Sequence, residues 1–367
     1  MPEEAPLFSD LPVATLRSTV NIVLSKYEER LPQLYVPLLE RLSRDALNLI
    51  DANASISSTA EMWEANAATL RALLLPVPKP TIGLPAPNIY WNYSSNNDYC
   101  GDEKLQDESA SYSSGEALVA HLARDWSEHG RSPRARTYGP ILLALDALRK
   151  SRREPLRVFV PGAGACRLAW ELARQGDRVE ANDASPLMLI AARTLLSSTA
   201  GQQHHLYPRA ACAGGLAPRS ACKRAAIVPD DESLVGRQSS SKRREQLEAA
   251  AQRLTLHAGS WCADADGTRT NASFDAVATS YFLDTQADVV AAVRRIHSLL
   301  KPGGVWVNVG PLHWHHVSAG MLRLPLDELL TLVEGVGFER VRSRRLGAVP
   351  YLESAPSSWL PWRGGLR

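Results

Sequence analysis

The chain reads as an α/β protein built on a parallel, doubly wound sheet, and three observations predict this. Arg157-Val158-Phe159-Val160 is a β-branched and aromatic run leading into the small-residue turn Pro161-Gly162-Ala163-Gly164-Ala165. Helical spacing of Leu168, Ala169 and Leu172 follows over Cys166 to Arg174, completing a strand, glycine turn and helix. Strand-like and helix-like runs then alternate as far as Val309, and strands separated by helices of that length pair in parallel. Finally, chemistry-bearing residues fall where the strands end, at the sheet edge where such folds bind ligands.

At 367 residues the chain has room for roughly two domains of ~100 to 200 residues. A net charge of +2, with 22% charged and 45% hydrophobic residues, is an ordinary globular balance that gives no footing for a nucleic-acid or membrane partner. Apolar runs such as Leu70 to Val77 fall short of the ~20 residues a bilayer span needs. Met1-Pro2-Glu3-Glu4 is acidic where a secretory leader is basic. Cys100, Cys166, Cys212, Cys222 and Cys262 form no C-x-x-C pair, which predicts reduced thiols, no zinc site and a cytoplasmic or nuclear location.

Taken in order, residues 1–90 read as a helical N-terminal region. Leu39, Leu42, Ala46 and Leu49 recur at three- and four-residue steps, and Pro32 and Pro37 divide the stretch into two or three helices. Five prolines between Leu75 and Pro87 make an extended connector, and the polar run Asn92 to Ser114 a surface loop or lid. Within 91–150, Gly115 to Asp125 and Thr137 to Leu148 predict helices, the second starting near Pro140. Residues 151–350 carry the sheet. Arg178 to Asn182 is its second strand, ending at Asp183, and Pro186 to Leu196 is a helix with Met188, Leu189 and Ala192 on one face. Gln202 to Lys242 loses all periodicity and predicts a flexible, basic insertion spanning about 202–245. Leu254 to Gly259 and Phe274 to Phe282 are strands, the second buried; Thr285 to Leu300 is a helix. Lys301-Pro302-Gly303-Gly304 stops that helix and Val305 to Val309 is the last strand, with 351–367 a C-terminal tail.

Two glycines let a ligand approach the backbone closely, the start of the next helix offers unpaired N–H groups, and Asp183 is placed to accept from a ribose diol. Arg167 stands where a dinucleotide fingerprint needs its third glycine, which weakens a nicotinamide reading. S-adenosylmethionine, which has no pyrophosphate, suits the turn better; a structural turn without ligand is the plain alternative. Arg124-Asp125-Trp126-Ser127-Glu128, with Tyr138 after it, is placed to reach the ligand's carboxylate or adenine, or else forms a surface ion pair beside a packed indole. Three strand ends add Gly259-Ser260-Trp261, Asp284, and the histidines 313, 315 and 316. Asp284 also suits a helix N-cap, and the histidines lack an acidic or cysteine partner at metal-ligand spacing.

Val160-Pro161-Gly162-Ala163-Gly164, Arg124 to Glu128, Phe282-Leu283-Asp284-Thr285, and Leu300 to Leu312 together resemble carnosine N-methyltransferases, in matching order and approximate spacing from Leu16 to Phe338. The resemblance implies a Rossmann-like class I methyltransferase sheet, S-adenosylmethionine as donor and the imidazole of a histidine-containing dipeptide as acceptor, carnosine becoming anserine. It further implies cofactor contacts from His121, Arg124, Gly162, Gly164, Asp183, Ser260, Trp261 and Ser280. Asp284 and His315 would hold the imidazole and serve catalysis, with Tyr351 on the substrate; no metal is required. A homodimer through the N-terminal helices is part of the same expectation. Ser260 stands in place of an acid, His121 in place of Gln, and Cys166 in place of a glycine. Two other readings stay open: methylation of another imidazole or a protein histidine, and an inactive relative serving as a binding protein.

Overall fold

The structure is a computed structural model that describes residues 20–29, 52–75, 89–91, 115–197, 203–210, 219–230, 241–261, 271–314, 322–347 and 349. The described elements are α1 (Ala52–Leu74), β1 (Ile89–Trp91), α2 (Gly115–Trp126), α3 (Arg131–Lys150), β2 (Arg157–Pro161), α4 (Arg167–Arg174), β3 (Arg178–Asp183) and α5 (Pro186–Ser197). Then come β4 (His204–Leu206), α6 (Arg219–Cys222), β5 (Ala226–Val228), α7 (Ser241–Gln252), β6 (Leu254–Ala258), β7 (Phe274–Ser280), α8 (Val289–Leu299), β8 (Leu300–Val309) and α9 (Leu326–Val336). Six strands form one sheet in the order β1-β6-β3-β2-β7-β8, and every neighbouring pair is parallel. The predicted α/β fold is therefore the observed one. From β2 the chain winds outward through β3 to β6, then crosses back to β7 and β8. The direction of winding reverses between β2 and β7, the place where sheets of this kind bind ligands at the carboxyl ends of their strands.

The central strands β2 and β7 are buried on both faces, as parallel strands covered by helices are. Phe159, Val158, Val277, Ala276 and Leu256 are fully enclosed between helices. The N-terminal helices share this core: Val20, Leu24, Tyr27, Leu70 and Leu73 pack in one cluster with Leu118, Val158 and Leu189. Tyr27 stacks on Trp63 with ring centroids 4.5 Å apart.

Several boundaries differ from the sequence expectation, each for a stated reason. Helix α3 starts at Arg131 and carries Pro140 inside it, because burial of Thr137, Tyr138, Ile141 and Leu145 outweighs one missing backbone bond. The helix expected over Thr285 to Leu300 splits into a 3₁₀ turn, Leu283–Thr285, and α8, because Asp288 caps Ala291 N–H at 2.9 Å. The three residues of β1 add a strand to the sheet edge beside β6. The stretch expected to be a flexible insertion holds a hairpin, β4 with β5, and helices α6 and α7. Asn66 of α1 anchors that hairpin: its Oδ1 accepts from Tyr207 N–H at 2.6 Å and its amide donates to Tyr207 O at 3.0 Å. Cys222 is disulfide-bonded, contrary to the expectation of reduced thiols, because sulfur proximity is a tertiary property that spacing does not report.

Candidate functional site

The turn after β2 needs its glycines for two separate reasons. Gly162 and Gly164 have φ of +60° and +54°, a region that side chains disfavour. At Gly162 a Cβ would also run into the ring of Phe282, so the turn and the end of β7 touch there. Gly164 N–H donates to Asp183 Oδ2 at 2.7 Å, and Ser185 N–H donates to Asp183 Oδ1 at 2.8 Å. Asp183 thus holds the turn and the start of α5 together. Burial pushes its carboxyl above the usual range while the two backbone donors pull it back. An ionised carboxylate has about four lone-pair sites, so this role leaves acceptor capacity for a ribose. Cys166, at φ +62°, is fully buried, and burial pushes its thiol up, so it packs as a neutral side chain.

The adjoining strand ends are tied to the turn through the backbone. Ala163 N–H donates to Asn182 O at 2.8 Å, the Asn182 amide donates to His257 O and Gly259 O, and Gly259 N–H donates to Asp183 O at 3.0 Å. Ser260 follows, half-exposed, and Trp261 is buried with its ring edge-on to Phe282 at 5.3 Å between centroids. Trp261 Nε1–H donates to Gln286 Oε1 at 2.9 Å.

Helix α2 ends over the same turn. Trp126, fully buried, donates its indole N–H to Ala165 O at 2.7 Å. Arg124 is paired with Asp125 through Nε to Oδ1 at 2.7 Å and Nη2 to Oδ2 at 3.2 Å, and Tyr138 O–H donates to Asp125 Oδ1 at 2.9 Å. Burial works against the Asp125 charge, yet Arg124 outweighs it and holds the carboxyl below its ordinary value. Arg124 Nη2 lies 3.3 Å from His121 Nδ1 and its guanidinium 5.3 Å from the Tyr281 ring centroid. Burial first, then Arg124, lowers His121 to about 3, so its ring is neutral. The surface ion pair considered for Arg124 is instead a buried one.

Two further arginines close the end of α2. Arg134 donates to the Arg124 and Ser127 carbonyls, and Arg167 to Asp125 O at 3.0 Å. Both pair with buried Asp230, at 2.7 Å and 3.2 Å. Sequence reasoning passed over Asp230 and Arg134, and saw in Arg167 only an absent glycine. Asp230, one of three consecutive acids in an aperiodic stretch, carries no local signal that sets it apart from Asp231 and Glu232; an arginine replacing a helix-packing glycine was the one visible cue.

At the end of β7 the geometry is looser. Ser280 Oγ is buried and has no hydrogen-bond partner among the described residues. Tyr281 has φ +54° with an N–H donating to Val309 O at 3.1 Å, and Gly310 packs so closely on it that a Cβ there would lie 3.1 Å from Tyr281 N. Asp284 is buried, and its Oδ2 accepts from His313 N–H at 3.0 Å; the helix-capping role considered for it belongs to Asp288. Gly162, Gly164, Asp183, Trp261, Ser280 and Asp284 thus lie at or just beyond the carboxyl ends of β2, β3, β6 and β7, with His121 and Arg124 of α2 beside the turn after β2. His315 and Tyr351 lie outside the described residues, while His313 is exposed.

Residues 102–358 match the family model described as carnosine N-methyltransferase. The chain is 28% identical over 239 residues to the carnosine N-methyltransferase of Schizosaccharomyces pombe, covering 61% of each. It is 30% identical over 244 residues to "Carnosine N-methyltransferase unmet" of Drosophila melanogaster, covering 65% of this chain and 50% of that protein. The alignments thus span only half to three-fifths of these relatives. Among solved structures, phosphoethanolamine N-methyltransferase 2 of Haemonchus contortus with S-adenosyl-L-methionine is similar at 15% identity, 65% coverage of this chain, 45% of that chain and a TM-score of 0.36.

Proposed function

Because the chain belongs to the carnosine N-methyltransferase family, we propose that it transfers a methyl group from S-adenosylmethionine to an imidazole nitrogen of a histidine-containing dipeptide, converting carnosine to anserine. One observation carries the reading. The ring of Phe282 rests where a Gly162 side chain would be, which sets the glycine turn against the segment bearing Asp284 two residues later.

The residues present fit this donor. Gly162 and Gly164 put bare backbone at the turn, Asp183 retains acceptor capacity for the ribose, and the orphaned Ser280 Oγ at the end of β7 awaits a polar partner. Arg124 supplies a cation for the amino-acid carboxylate, with His121 beside it; Trp261 and Ser260 stand on the adenine side. The donor brings a methyl group already activated by its sulfonium, so the protein's task is alignment, worth up to about 7 to 11 kcal/mol. Asp284 accepts the imidazole N–H, which leaves the other ring nitrogen unprotonated for attack, and its carboxylate offsets the positive charge that develops on the ring. His315 and Tyr351 complete the acceptor side of this proposal.

The test is transfer from labelled S-adenosylmethionine to carnosine, with the product's methyl position read by NMR. Asp284→Ala should slow transfer by about 10- to 100-fold, the loss of one charge-assisted bond, while donor binding persists. No transfer to carnosine by the unaltered protein would overturn the substrate reading.

A further inference from the structure

We infer that Asp125, itself fixed by Tyr138, is a positioning residue that aims Arg124 at the amino-acid carboxylate of the methyl donor; this rests on the donor reading above. Arg124 and Asp125 are consecutive on α2, and neighbours i and i+1 on a helix point to different sides. Their pairing therefore staples no two elements together. It fixes the direction of one side chain. The grip is two-pronged, Nε to Oδ1 at 2.7 Å and Nη2 to Oδ2 at 3.2 Å, which locks the plane of the guanidinium as well as its position.

Asp125 is in turn immobile. It is fully buried, and the buried Tyr138 of α3 donates to its Oδ1 at 2.9 Å. Two more contacts restrict the guanidinium: the Tyr281 ring covers one face, and neutral His121 accepts at Nδ1. The cluster lies directly on the donor turn. A Cβ on Gly164 would stand 3.4 Å from His121 Nδ1 and 3.9 Å from Asp125 Oδ2. The contrast with Asp230 is instructive, since Asp230 joins arginines of α3 and α4 and needs no ligand to explain it.

Titration calorimetry on the full chain with two ligands separates positioning from scaffolding. S-adenosylhomocysteine carries the amino-acid carboxylate; 5′-methylthioadenosine keeps the nucleoside and lacks that carboxylate. Asp125→Asn should weaken S-adenosylhomocysteine about tenfold or more, the worth of a charge-assisted contact, and leave 5′-methylthioadenosine within about twofold. Tyr138→Phe, which keeps the ion pair and the fold, should show the same selectivity at smaller amplitude, and it decides the matter if Asp125→Asn misfolds. Equal losses for both ligands, or no loss for either, would overturn the inference while the donor reading stands. An unaltered protein that binds neither ligand would sink the donor reading and the inference together.

Discussion

At the carboxyl ends of β2 and β3, Asp183 accepts two backbone N–H groups, Asp125 is held by Arg124 and Tyr138, and Asp230 joins two arginines. At the end of β7, by contrast, Ser280 Oγ has no partner among the described residues, Asp284 accepts one backbone N–H, and Tyr281 occupies a left-handed conformation costing about 1 to 2 kcal/mol. In the first half every named carboxylate is tied down before any ligand arrives. The second keeps an unpaired buried hydroxyl in reserve, as sites that must grip a reacting partner do. Damage at the β2 and β3 ends should therefore appear in stability as well as in binding, and damage at the β7 end in binding and turnover alone.

The strongest way to break this comparison is at Asp230. Asp230→Ala would leave the buried Arg134 guanidinium without its ion-pair partner and Arg167 with Glu171 alone. Removing one partner of a buried ion pair costs about 3 to 5 kcal/mol, which urea denaturation would report as a lower midpoint. A cost below about 1 kcal/mol would show that the β2 and β3 ends are not held by this network.

How much of this was legible in the sequence follows from the range of each signal. The strand, glycine turn and helix at Arg157–Arg174 could be read because small-residue turns and helical periodicity are local, and the parallel sheet followed from alternation. Asp183 and Asp284 were picked out because strand ends have a fixed place in such sheets, whereas Ser280 came only with the family resemblance. What supports them could not. Asp230 is brought to Arg134 and Arg167 by a hairpin whose strands are three residues each, too short to leave a periodic pattern. Phe282 belongs to a motif that the sequence singled out, yet its contact with Gly162 depends on the close approach of two turns. Asp284 and Asp288 are equally good caps by type, and only the geometry assigns the role to Asp288.

A smaller effect sharpens the comparison through pH. His121 has a folded-state value of about 3 against an ordinary 6.5, because it is buried and lies beside Arg124. Between those values the unfolded chain binds a proton that the folded chain refuses, so His121 costs stability as pH falls from 6.5 toward 3. The limiting slope is about 1.4 kcal/mol per pH unit. Thermal melts should show the wild type losing ground to His121→Gln over that window, with a constant difference between them above pH 7. A difference independent of pH throughout would mean that this ring stays solvated and that the α2 cluster is open.

The smallest effect on stability belongs to Ser280, and its sign matters more than its size. A buried hydroxyl without a partner has lost its water and gained nothing, so removing it from the ligand-free protein relieves a penalty rather than a bond. Ser280→Ala should therefore leave stability unchanged or raise it by up to about 1 kcal/mol, and also weaken S-adenosylmethionine binding by severalfold. The equivalent truncation on the other side, Asp183→Ala, frees the Gly164 and Ser185 N–H groups and should lower stability and donor affinity together. Melting and binding measured on the same two variants thus test the division directly. If Ser280→Ala melted lower and bound the donor as before, Ser280 would be ordinary scaffold, and the β7 end would be as tied down as the β2 and β3 ends.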